Sequence, residues 1–166
     1  MQETILSISY FVHLLATVTW IGGLLILTLF VWPLAHRFLR NPDERRQFVL
    51  GLQRRFRPMA NLSLVLLVGT GMIQTGADPN YEGLLTFDNG WTIAMLFKHL
   101  AYVGMVALVG IVQFGIVPAI ERATLLAARD QPNDLAQLIK REANLTRGLL
   151  GLGIIVLLFT AIATAI

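Results

Sequence analysis

Residues 5–33 read ILSISYFVHLLATVTWIGGLLILTLFVWP, and the architecture turns on what this stretch is. It contains no acid, no lysine and no arginine. A helix needs about 20 mainly apolar residues to cross a bilayer. A secretory leader would carry a basic start and a shorter apolar core, whereas here Glu3 precedes the run. The stretch therefore predicts a transmembrane helix.

Three more stretches qualify further along: about Met59 to Gln74, Trp91 to Ile120, and Leu149 to Ile166. The prediction is an all-α integral membrane four-helix bundle, one domain over residues 1–166, solvated by the lipid bilayer. Composition agrees. The chain is 55% hydrophobic and only 14% charged, against about 25% charged in soluble domains. It has no cysteine, which excludes disulfides, thiolate metal sites, iron–sulfur clusters and covalent haem attachment.

The basic residues set the direction. Arg37, Arg40, Arg45, Arg46, Arg54, Arg55 and Arg57 follow the first span, and Arg122, Arg129, Lys140, Arg141 and Arg147 follow the third. Together they are all of the Lys and Arg except Lys98. The N-terminus and the 75–90 loop hold acids instead: Glu3, Asp78, Glu82 and Asp88. Basic loops stay cytoplasmic, so both termini are expected outside an inner (plasma) membrane. The alternation of these clusters with the spans argues against nucleic acid as the partner of the net +3 charge. Asn41-Pro42-Asp43-Glu44 and Gln131-Pro132-Asn133-Asp134 read as helix starts that extend the later spans below the membrane. The 75–90 loop, rich in Gly and Pro, reads as irregular, with Tyr81 and Trp91 at interfacial positions.

The two halves resemble each other. His13-Leu14 pairs with His99-Leu100, and Pro33 and Pro118 follow these histidines at nearly equal spacing. Ala60-Asn61-Leu62-Ser63 pairs with Ala143-Asn144-Leu145-Thr146, each near the start of the second helix of its half. The pattern predicts a duplicated helical hairpin in parallel orientation, with His13 and His99 at equal depth, roughly 12 Å below the outer surface.

Few residues here can carry chemistry. His13 lies on a stripe of Ser9, Ala16, Thr17, Trp20 and Gly23 at helical spacing. Small and polar residues of this kind face other helices rather than lipid. Gly22-Gly23 leaves room for a planar cofactor, and intramembrane ionisable groups default to function. The competing reading is a packed helix interface with His13 bonded to a Ser, Thr or Tyr. Lys98 and His99 are about 100° apart on one helix and cannot point the same way. Lys98 either snorkels to the interface or pairs with a carboxylate such as a haem propionate. Facing histidines suit a six-coordinate b-type haem. Copper is the rival: Met72 and Met95 lie near the histidine level, and thioether with imidazole suits Cu(I). His36 reads as a solvated loop residue. Asn61 and Asn144 read as helix-start or interhelix hydrogen-bonding residues. No nucleophile–base pair, phosphate loop or H-E-x-x-H motif is present.

Several short motifs resemble a known family. His13 followed by Trp20-Ile21-Gly22-Gly23-Leu24 is similar to the first helix of the copper resistance protein D (CopD) family. Arg54-Arg55-Phe56 with a span ending Gly69-Thr70-Gly71 is similar to its second helix, and Gly90-Trp91 with Lys98 to its third. The histidine-to-tryptophan spacing and Lys98 also resemble the related HemJ-type protoporphyrinogen oxidases. The first resemblance implies copper uptake or handling across the inner membrane. The second implies b-haem held through His13, with Lys98 important; the chain departs from it in having His99 directly after the lysine and in its longer outer loop. The leading expectation is b-haem bound by His13 and His99, with Lys98, Trp20 and Thr17 around it, for electron transfer or redox chemistry near the outer face. Copper handling through His13, His99, Met72 and Met95 is the alternative, and a structural subunit of a larger membrane complex is a third. With four helices, a homodimer or larger assembly is expected for any transport path.

Overall fold

A computed structural model describes residues 1–81, 83, 89–129 and 131–165, with only the backbone described at Pro42 and Asp43. The expected acids Glu82 and Asp88 lie outside the described residues. The protein is all-α: four helical runs are long and apolar enough to cross a membrane, Gln2–Phe38, Glu44–Ala77, Gly90–Ala127 and Leu135–Ala165. It is a multi-pass membrane protein. No strand occurs among the described residues. The chain divides into two compact units, Met1–Thr86 and Phe87–Ile166, and each is a helical hairpin.

In the first unit, α1 (Gln2–Leu25) passes through a π-helical segment (Ile26–Val31) into α2 (Trp32–Phe38). The cause of the π segment is Pro33. Proline lacks an N–H and crowds the carbonyl four residues back, so the preceding turn widens and Trp32 N–H reaches Leu27 O instead. The rod ends where Leu39 turns extended. Helix α3 (Pro42–Ala77) then packs back along α1. Its start matches the Asn-Pro signal: Arg45 N–H donates to Asn41 O at 3.1 Å.

Ser9, Ala16, Trp20, Ile21, Leu24 and Leu27 on the first rod are buried, as are Ser63, Leu64 and Thr70 on α3. Phe11, Leu15, Val18 and Phe30 point outward. Lipid is as apolar as these side chains, so close packing rather than the hydrophobic effect joins the helices. The clearest contact is Phe56 on Gly23. A Cβ at Gly23 would stand 2.0 Å from Phe56 Cε2, so the ring occupies the place a side chain would take. The slot expected at Gly22-Gly23 is thus filled at Gly23, while Gly22 has nothing within 4 Å of an added Cβ.

The second unit follows the same plan. Asn89 caps α4 (Gly90–Gly110), its Oδ1 accepting from both the N–H and the hydroxyl of Thr92 at 2.8 Å. A π segment (Ile111–Ile116) precedes α5 (Val117–Ala127), and Val117 N–H reaches Val112 O just before Pro118. Helix α6 (Leu135–Ala165) returns along α4. Phe97 stacks on Phe159 with centroids 5.2 Å apart.

The structure refines the reading of four residues. Trp91, expected at an interfacial depth, is buried because it begins the inner stripe of α4. His36 sits on a helix rather than in a loop, exposed, with its ring 5.5 Å from Trp32 and Nδ1 3.1 Å from Trp32 O. Asn61 and Asn144 lie well inside α3 and α6, because both helices begin in the basic segments far upstream of the apolar stretches.

Candidate functional site

The first hairpin gathers polar side chains along one seam. Ser9, His13 and Thr17 recur every four residues on α1, and so share a face. Opposite them α3 presents Thr70 and Gln74. His13 is half-buried, and its Nδ1 lies 2.8 Å from Thr70 Oγ1. Its Cε1 would be 3.6 Å from a Cβ added at Gly71, so the ring lies over that glycine. Ser9 Oγ donates to Thr70 O at 3.3 Å, and Gln74 Nε2 donates to Ser9 O at 3.2 Å. Burying such groups is costly unless they are hydrogen-bonded. The seam therefore fixes the register of α1 against α3 as well as the imidazole.

Other residues expected near His13 fall in different places. Thr17 Oγ1 donates back to His13 O at 2.8 Å, which leaves the hydroxyl turned to its own helix. Trp20 is 1% exposed and fills the core on the same face. Met72 is 72% exposed. Two residues beyond Thr70, it projects from the far side of α3, about 200° away.

In the second hairpin the ambiguity between Lys98 and His99 resolves within its own helix. Trp91, Ala94, Ala101 and Met105 are buried, and they share a face with Lys98. Lys98 is half-buried and pairs with no acid among the described residues. His99 is exposed, and its Nδ1–H donates to Met95 O at 2.6 Å. Met95 is half-buried. Lysine is therefore the more enclosed of the two. The features that pointed to haem are accordingly thin: the Gly23 slot holds Phe56, and His99 sits on an outer face of its helix.

No group of three or more His, Cys, Asp or Glu stands together among the described residues. The important residue that the sequence motifs did not single out for chemistry is Thr70, together with Gln74. The signal was present: Ser63, Thr70 and Gln74 interrupt an apolar span at spacings of seven and four, which puts them on one helical face.

A family model described as Copper resistance protein D matches residues 50–163, more than half of the chain. No curated protein and no solved structure matches. The matched region takes in Thr70, Met95, Lys98 and His99; His13 precedes it.

Proposed function

The chain belongs to the copper resistance protein D family, and on that basis we propose that it handles copper at the inner membrane, as an uptake or transfer protein rather than a haem protein. The family match is the observation that carries this reading. The side chains are compatible with Cu(I) as cargo. A bare cation is expensive at membrane depth, and soft ligands lower that cost by replacing its water. His13 is the copper-contacting residue proposed for the first hairpin. His99 with Met95 is the corresponding pair of the second, at i and i+4 on one helix. Met72 and His99 are both exposed, and half-buried His13 is the contact on which the proposal chiefly rests. The basic segments 37–57 and 122–147 are proposed to lie in the cytoplasm, which places both termini outside.

The test is a Cu(I) titration of detergent-purified protein against a competing chelator, with cellular copper content measured in parallel. Wild-type protein should bind Cu(I) and change the copper content of the cells that express it, and His13→Ala should lose most of both effects. A b-type α-band in the reduced-minus-oxidised spectrum, with no copper bound, would overturn the copper reading in favour of haem.

A further inference from the structure

We infer that Thr70 is a positioning residue that selects the tautomer of His13, so that in the neutral ring the lone pair suited to copper is on Nε2; this rests on the reading of His13 as a copper contact. The protons decide the matter. A threonine hydroxyl has one hydrogen to donate. Thr70 Oγ1 donates it to Leu66 O, one turn back on α3. Toward His13 the same oxygen is then an acceptor, and Nδ1 at 2.8 Å must be the donor. A neutral imidazole has one N–H. With Nδ1 protonated, Nε2 is the basic nitrogen.

Each of the three histidines has Nδ1 within hydrogen-bonding distance of an acceptor, but the acceptors differ. His36 and His99 use the carbonyl four residues back on their own helix, a partner that any helical position supplies. His13 uses a side chain on the neighbouring helix. That helix is itself held by Ser9 Oγ on Thr70 O and by Gln74 Nε2 on Ser9 O. Ring orientation, tautomer and helix register are therefore fixed together. A partner on the second ring nitrogen is how metal-binding histidines are commonly oriented. Thr70 also explains a short motif. In Gly69-Thr70-Gly71 the hydroxyl supplies the acceptor, and Gly71 lies beneath the ring.

The experiment uses full-length, copper-free protein with 15N-labelled histidine. The ring nitrogens are assigned by NMR, and Cu(I) affinity is then measured on the same variants. Wild type should show a pyrrole-type Nδ1 and a pyridine-type Nε2 at His13. Thr70→Ser should keep that pattern. Thr70→Val should move the ring toward the Nε2–H tautomer and weaken Cu(I) binding about 10- to 100-fold. A wild-type His13 protonated on Nε2 would overturn the inference without any variant, as would a Thr70→Val spectrum identical to wild type. The expected tautomers together with Cu(I) binding indifferent to His13→Ala would uphold the positioning role and defeat the copper reading instead.

Discussion

Replacing Gly23 with alanine tests the packing that joins the first hairpin. The new Cβ would stand 2.0 Å from Phe56 Cε2 and 2.1 Å from Cζ. Carbon atoms rest about 3.5–4.0 Å apart, so the ring must retreat by roughly 1.5 Å or swing out of its place. Overpacking of this size typically costs about 1–3 kcal/mol. Helix propensity works the other way, since alanine is better than glycine by up to about 1 kcal/mol. Gly22 provides the control: it has the same propensity gain and nothing within 4 Å of its added Cβ. The difference between Gly23→Ala and Gly22→Ala therefore isolates the clash. We expect Gly23→Ala to be the less stable by about 1–3 kcal/mol. At about 2–4 °C per kcal/mol, thermal unfolding in detergent will resolve it. Shortening the ring with Phe56→Leu should shrink the gap between the two alanine variants, as expected for residues in direct contact. Equal stability of the two alanine variants would mean that the ring does not lie against Gly23, and the packing described above would fall with it.

A cysteine introduced at Asn80 should react with a membrane-impermeant label in intact cells, and one at Arg40 only after lysis; the reverse pattern would invert the topology. Pro33→Ala and Pro118→Ala should restore ordinary α-helical bonding through Ile26–Val31 and Ile111–Ile116, with a gain on the order of 1 kcal/mol, a fraction of the ~3 kcal/mol proline penalty. Backbone carbon shifts that stay π-like in both variants would show that proline is not the cause. Ser9→Ala removes the donor to Thr70 O and should cost about 1 kcal/mol, read from the same thermal unfolding. It should leave His13 Nδ1 protonated, because the Thr70 hydroxyl is untouched.

The spans and helix starts were legible because each rests on local chemistry. An uncharged run as long as residues 5–33 has one good solvent, and Asn41-Pro42 marks a first turn wherever it occurs. The doubling of the hairpin was legible as well, since Pro33 and Pro118 impose the same widened turn on both halves. Harder to read were features set by a neighbouring helix. Gly22 and Gly23 look alike in sequence, yet only Gly23 meets Phe56, which reaches it from the other helix of the hairpin. Lys98 and His99 could not be ranked by pattern, since a lysine on an apolar helix suits either face. The burial of Trp91 shows only beside its companions Ala94, Ala101 and Met105, which are buried on the same face. The role of Thr70 depends on where one hydroxyl proton goes, and spacing carries no information about that.

Helix α3 has 36 residues and so extends about 54 Å, while the hydrocarbon layer is only about 30 Å thick. Its length exceeds that thickness by about 24 Å, and a span over its apolar C-terminal part leaves Arg54 and Arg55 in the arm beyond the lipid. Thr70 and the arginines therefore share one lever. Roughly 24 Å of arm turns a tilt of about 10° in the span into a sweep of about 4 Å at its tip. Pro58 lies within this helix, and proline is where helices most often bend. It sits between the histidine contact and the arginines, so a bend there would change the angle between the two.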